Sequence, residues 1–199
     1  MPTREEVKAE YDHLYKTYPT KWVNTERSDF MIQVLRGIMP NPKYVIDVGC
    51  GNGSILESYH KYNPTADIYG IDLSEEGLKL AQDRVPNGNF TTEDEFKNRK
   101  RFDLVMCLGV AEHVEELPEF LKSLKARVKK EGFCYFEVPH NLLYSEGPET
   151  YRRLKTRSQQ LEWHYPRSKW EELILEAGFE IVASYTGLKS SWEFIWVLR

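Results

Sequence analysis

Cysteine is scarce, with three residues in a chain of 199. Cys50, Cys107 and Cys134 are odd in number and lie in apolar segments or a glycine-rich turn, which excludes a disulfide scaffold and points to reduced thiols. Long apolar runs are missing too, and none approaches the roughly 20 residues that cross a bilayer. The opening Met1-Pro2-Thr3-Arg4-Glu5-Glu6 has no apolar stretch of the kind that heads a secreted protein. A cytoplasmic chain with no membrane partner is therefore expected. No repeat and no low-complexity linker occurs. No His, Cys or acidic residues fall at a metal-site spacing, so no metal is expected. The net charge of −4 disfavours a nucleic-acid partner. What is present is ordinary globular material, 41% hydrophobic and 29% charged, at the length of one large domain.

The pattern along the chain predicts an α/β fold. Val7, Tyr11, Leu14, Tyr15 and Tyr18 fall at helical spacing, and Phe30, Val34, Leu35 and Ile38 form a second, shorter stripe. From Tyr44 onward short apolar strands alternate with helices. The expected strands are Tyr44 to Val48, Asp67 to Ile71, Phe90 to Thr92, Leu104 to Leu108, Gly132 to Val138, Glu180 to Tyr185 and Trp192 to Leu198. Ser74 reads as a helix N-cap, and Ser168-Lys169-Trp170-Glu171 has capping-box spacing. Gly178 is placed to end the last helix. The last two strands, joined by Thr186-Gly187-Leu188-Lys189, suggest an antiparallel edge. The expected architecture is one doubly wound, Rossmann-like domain with seven mostly parallel strands and helices on both faces. Within it, residues 1–40 form an N-terminal helical segment, 44–138 the core, 139–167 an insertion, and 168–199 a closing helix and strands.

The most informative stretch is Asp47-Val48-Gly49-Cys50-Gly51-Asn52-Gly53, which links an apolar strand to a helix. Its glycines permit a sharp turn and close approach of a ligand. Nineteen residues past Gly53, Asp72 ends the second strand, where a carboxylate can accept both hydroxyls of a ribose. The spacing departs from the dinucleotide fingerprint, because Ser54 stands where its third glycine belongs. Asp47 would repel a pyrophosphate and suit a cationic amino group. S-adenosylmethionine, which carries an ammonium, a sulfonium, a ribose and no phosphate, meets those demands; a nicotinamide-dependent dehydrogenase is the alternative that the glycine spacing disfavours.

With Tyr69-Gly70-Ile71-Asp72-Leu73-Ser74, Phe102-Asp103-Leu104-Val105, Ala111-Glu112-His113-Val114 and Glu176-Ala177-Gly178-Phe179 following in order, the chain resembles class I S-adenosylmethionine-dependent methyltransferases of the small-molecule type. The resemblance spans 44–199. It implies that Asp47 and the loop Gly49, Cys50, Gly51, Asn52 and Gly53 hold the methionine moiety. Asp72 would take the ribose and Leu73 pack on the adenine. Asp94, or Glu93 or Glu95 beside it, would accept the adenine amino group. Leu108, Gly109 and Val110 would line the floor near the sulfonium.

Methyl transfer to a neutral acceptor needs alignment, exclusion of water and a place for a proton. His140, His113 and His164 are the candidate proton acceptors, each with a wall or capping role as the competing reading. The N-terminal helices, 1–40, resemble the family's variable lid; Tyr11, Tyr15 and Trp22 on them, with Asn141, Tyr144, Arg152 and Trp163 in the insertion expected to shape the acceptor pocket, are the candidate acceptor-binding residues. A cluster of Arg152, Arg153, Lys155 and Arg157 would pair with a carboxylate or phosphate on an anionic acceptor, unless it is a solvated face. Asn-Pro-Pro-Tyr, a proline-cysteine nucleophile and a paired-glutamate loop are all absent. A small-molecule O- or N-acceptor is expected, with RNA, a protein, or a non-catalytic cofactor-binding subunit as alternatives.

Overall fold

Local signals fix where each helix starts. In the computed structural model, which describes all residues except 1–2, 21–22, 98–99, 140–152, 156–160, 164 and 189–190, Thr3 caps α1 (Arg4–Thr17). Its Oγ1 accepts from the Glu6 N–H at 3.2 Å, and Glu6 reaches back to the Thr3 N–H at 2.7 Å. This reciprocal pair satisfies two donors that a helix end leaves bare. Asn24 caps α2 (Thr25–Ile38) through the Arg27 N–H at 3.1 Å. β1 (Tyr44–Val48), α3 (Ser54–Tyr62), β2 (Asp67–Ile71), α4 (Glu75–Arg84) and β3 (Asn89–Thr91) follow. Ser74 caps α4, as the sequence predicts.

β4 (Phe102–Leu108) leads through a one-turn 3-10 helix (Ala111–His113) to α5 (Leu117–Arg127) and β5 (Val128–Pro139). Then come β6 (Arg153–Lys155), β7 (Leu161–Trp163), α6 (Arg167–Glu176), β8 (Ile181–Leu188) and β9 (Ser191–Leu198). Among the described residues the strands form one seven-stranded sheet, in the order β3-β2-β1-β4-β5-β9-β8, and a two-stranded β6-β7 ladder. β1 runs parallel to β2 and β2 to β3, while β9 is antiparallel to both β5 and β8. The order reverses beside β1, and open α/β sheets bind ligands outside the carboxyl end of a strand at such a reversal. No helix among the described residues is long and apolar enough to cross a membrane.

Three expectations are corrected. Ser168 does not cap α6: the helix starts two residues earlier, with Pro166 at the N-cap and no side-chain cap bond. The extended Pro166 presents its carbonyl to the Lys169 N–H at 3.0 Å, and the Arg167–Glu171 pair at 2.8 Å ties the first turn. Thr186 to Leu188 belong to β8 rather than to a connection. The stretch 139–167 contains an antiparallel pairing, Arg153 opposite Trp163, where the sequence shows only an insertion. Gly178 does end α6, at φ +86°, with the Phe179 N–H reaching back to the Ile174 carbonyl at 3.3 Å.

The chain divides into two compact units, Met1–Leu104 and Val105–Arg199, and the division falls within β4. The first has Met31, Leu35, Val45, Ile46, Leu56, Tyr59, Ile68 and Ile71 at its core. The second is built on aromatics, with Phe136 meeting Trp196 at 5.9 Å and Trp170 at 6.0 Å. Within the first unit the start of β4 explains the Phe102-Asp103 pair. Phe102 stands edge-on to Tyr69 at 5.2 Å, and the Asp103 carboxylate accepts the backbone N–H groups of Lys43 (3.2 Å) and Tyr44 (2.8 Å). Asp103 thus anchors the first residues of β1, the strand that carries the glycine loop. Asp103→Ala is expected to lower unfolding free energy by about 1–3 kcal/mol, since it strands two backbone donors. Urea denaturation at neutral pH measures this; an unchanged midpoint would remove the anchoring role.

Candidate functional site

β1 ends in a turn that only glycine can make three times over. Gly49, Gly51 and Gly53 have φ of 80°, 51° and 74°, in the left-handed region that side chains disfavour. The Gly49 and Cys50 N–H groups both donate to the Ile71 carbonyl, at 2.7 and 3.1 Å, so the turn is stitched to the end of β2. A Cβ on Gly53 would lie 2.7 Å from the Ala81 backbone, and one on Gly51 would strike the Tyr15 hydroxyl. The loop is therefore clamped between α4 on one side and α1 on the other. Gly53 offers α3 no side-chain cap; the Asn52 Oδ1 accepts the Ser54 N–H at 3.2 Å instead. The Asn52 amide donates in turn to the Pro19 carbonyl at 2.9 Å.

Two carboxylates converge on this loop. Asp72 Oδ2 accepts the Gly51 N–H and its Oδ1 the Ser74 N–H, both at 2.8 Å. Burial raises its carboxyl, and the N–H groups of Ser74, Gly51 and Leu73 only partly offset that. Asp47 is 3% exposed, and among the described residues its Oδ1 has no hydrogen-bond partner. Burial pushes the Asp47 carboxyl up to about 7, opposed by the Arg27 guanidinium on α2 and reinforced by the Asp72 charge. The same surroundings, burial first and then Asp72 and Asp47, hold the Cys50 thiol well above its ordinary value. Its Sγ fills space that Gly70 leaves open: a Cβ there would be 2.8 Å away. Tyr15 is buried against the loop, its hydroxyl pushed up by burial and by Asp72, and Tyr11 stacks on it at 6.3 Å.

At Leu73, which follows Asp72, opens a cleft of ≈ 670 Å³ whose walls also include Leu78, Phe90 and Thr91, and Arg4 from α1. Asp94 and Glu95 both line it. Asp94 pairs with Arg4 at 2.9 Å, and Glu95 accepts from the Thr91 hydroxyl at 3.0 Å. Both acids already have protein partners here.

In the second unit, β4 ends at Leu108, and Gly109 (φ 69°) donates its N–H to the Glu137 carbonyl at 3.0 Å. Val110 opens the 3-10 turn that carries buried Glu112 and half-buried His113. His113 Nε2 is 3.8 Å from Glu112 Oε1. Trp163 donates its indole N–H to the Val114 carbonyl at 2.7 Å and stacks on Tyr165 at 5.6 Å. Trp22, His140, Asn141, Tyr144, Arg152, Arg157 and His164 lie outside the described residues.

Sequence reasoning passed over Arg27, Arg4 and Asp12. Arg27 and Arg4 read as ordinary polar positions of helices, and only the fold brings one to Asp47 and the other to Asp94. Asp12, on the polar side of the first stripe, accepts from the Ser74 hydroxyl at 2.6 Å.

Comparison with known proteins agrees with this geometry. The chain is 32% identical over 152 residues, 70% of its length, to the ubiquinone biosynthesis O-methyltransferase of Nitrosomonas europaea. It is 29% identical over 137 residues to the protein of that name from Actinobacillus pleuropneumoniae. It spans 63% and 57% of those relatives' lengths. Among solved structures, a 1,6-didemethyltoxoflavin-N1-methyltransferase from Burkholderia thailandensis, with S-adenosylhomocysteine bound, superposes at TM-score 0.78 and 19% identity. The match covers 97% of this chain and 86% of that one. An amino pentose methyltransferase from Micromonospora echinaspora, with S-adenosylmethionine bound, does so at 0.72 and 18%, over 95% and 96%. At such identities the likeness is one of fold. A sequence model of the methyltransferase domain matches residues 23–184, and on that match, which takes in most of the chain, the protein belongs to the methyltransferase domain family.

Proposed function

We propose that this chain is an S-adenosylmethionine-dependent methyltransferase that methylates an oxygen or nitrogen atom of a small molecule. The observation that carries the reading is the orphaned, buried Asp47 Oδ1 beneath a glycine turn, within the field of Arg27. A buried carboxylate oxygen lacking a donor calls for one, and an ammonium group supplies it. When bound, the donor brings a methyl group on a sulfonium. Asp47 would hold its ammonium, Arg27 its carboxylate, and the Gly49–Gly53 backbone would lie against its chain. Asp72, already oriented by two backbone N–H groups, would accept the ribose hydroxyls, and Leu73 with Asp94 or Glu95 would bound the adenine in the adjoining cleft. Tyr15 would shut water out above the loop. His113 would take the acceptor's proton, with Glu112 pairing the imidazolium that results. The relatives' names favour an oxygen acceptor. The basic residues 152–157 and Trp163 are the proposed recognition elements for an anionic or ring-bearing acceptor.

Asp72→Ala is expected to weaken S-adenosylhomocysteine binding about tenfold or more, as loss of hydrogen bonds to a charged group implies. Calorimetry measures this, and undiminished affinity would withdraw the ribose assignment. The Asp47 shift sets a pH dependence. The unfolded carboxyl ionises near 3.8 and the folded one near 7, so the folded chain binds more protons between those values and loses stability as pH rises through them. An ammonium ligand pairs only with the ionised form. Affinity is therefore expected to climb as pH goes from about 5.5 to 7, with proton release, and Asp47→Asn should flatten the slope. A wild-type profile that is already flat would count against the pairing. For the proton acceptor, His113→Ala is expected to cut turnover about 10²-fold with donor affinity kept. A labelled donor and a panel of phenols, amines and carboxylates provide the assay, and full activity would exclude His113.

A further inference from the structure

The first unit contains a hydrogen-bonded chain that no motif announces. Lys8 Nζ lies 3.1 Å from both Asp12 Oδ2 and Glu75 Oε1. Asp12 Oδ1 accepts the Ser74 hydroxyl at 2.6 Å and the Glu76 backbone N–H at 3.2 Å. Ser74 Oγ accepts the Gly77 N–H at 3.0 Å, and the Ser74 N–H donates to Asp72, which grips Gly51. Lys8 and Asp12 belong to α1; all that follows them is the end of β2, the start of α4 and the glycine loop. Ser74 is fully buried, and its single hydroxyl hydrogen is committed to Asp12. A helix capped at one donor by its own serine and at the next by an acid from another helix is fixed in orientation at its first turn. Asp12 also places a negative charge at the positive end of α4. Partial burial would raise its carboxyl, yet the Ser74 hydroxyl, the Glu76 N–H and Lys8 together hold it below the ordinary range.

The two other attachments of α1 are different in kind. Arg4–Asp94 is largely exposed, at 49% and 72%, and Lys8–Glu75 is exposed at 36% and 61%. Exposed pairs of that sort contribute little and are screened by salt. Tyr15 supplies cover over Gly51, with its ring and hydroxyl against that residue. Asp12 links α1 through the Ser74 hydroxyl and backbone to the Asp72 carboxylate that follows β2.

We infer that Asp12 is a positioning residue, which couples seating of α1 over the cleft to the orientation of Ser74 and Asp72 and so sets how long a bound nucleoside donor stays. This rests on the reading of the glycine loop as the donor site. With Asp12 removed, Ser74 loses its acceptor and the first turn of α4 loses its second cap.

The test is S-adenosylhomocysteine affinity by calorimetry and its dissociation rate by stopped flow, on the full chain. Asp12→Ala is expected to weaken binding about tenfold, the size of one charge-assisted hydrogen bond, and to do so through faster dissociation. Asp12→Asn keeps an oxygen for Ser74 and Glu76 and is expected to stay within about threefold. Adding Ser74→Ala to Asp12→Ala should weaken binding no further than the worse single variant, because both break one chain. If Asp12→Ala does not fold, Ser74→Ala breaks the chain from its other side and is read by the same measurements. A lowered melting temperature with an unaltered dissociation rate overturns the inference, as a merely structural role would give that result. Wild-type binding together with an indifferent Asp12→Ala overturns it alone; failure of the wild-type chain to bind overturns the donor-site reading and this inference with it.

Discussion

The grip of Asp72 on two backbone N–H groups is the constraint from which the site's shape follows. Neither the glycine turn nor the start of α4 is held by its own side chains alone. Asp72 Oδ2 fixes the first through Gly51 and Oδ1 fixes the second through Ser74, both at 2.8 Å. The carbonyl of Ile71, one residue earlier, binds the Gly49 and Cys50 N–H groups. Three consecutive N–H groups of the loop are thus indexed to Ile71, the last residue of β2, and to Asp72, which follows it. A half-buried carboxylate that satisfies backbone donors on both oxygens loses a bond whichever way it turns. The loop inherits that stiffness.

Against this rigid centre, α1 is held by graded attachments. Its own folding is secured locally by Thr3 and Glu6, while its seat depends on Tyr15, on Asp12 and on ion pairs near its start. Polar contacts at the rim, apolar cover over the loop and one charged hydrogen bond between them give a hierarchy in which the outer attachments respond to ionic strength and the inner ones do not.

Most of the architecture was legible because it is written in short-range terms. Tyr44 to Val48 and Asp67 to Ile71 are apolar runs bounded by turn residues, and Ser74 before Glu75 and Glu76 is a local cap; all three stand where expected. The start of α6 was misread for a definable reason. Capping-box spacing at Ser168 competes with Pro166, whose locked φ and free carbonyl begin a helix without any side-chain cap. The pairing of Arg153 with Trp163 left no signal, since segments of three residues carry no period. Within the site, Asp47, Asp72 and the glycines follow from spacing along one strand–turn–helix unit. Arg27, Arg4 and Asp12 do not, because each acts across space from a helix whose sequence says only which side is apolar.

Cys50 gives the loop one more property. Sulfonium donors are alkylating agents, and the thiolate is the most nucleophilic group a protein offers them. In this chain a sulfur lies inside the very turn proposed to cradle such a donor, wedged into the gap left by Gly70 and flanked by Asp47 and Asp72. Exclusion of solvent and two neighbouring negative charges keep it as neutral S–H, the unreactive form. The two carboxylates that flank the turn thus also hold the thiol within it in its protonated state.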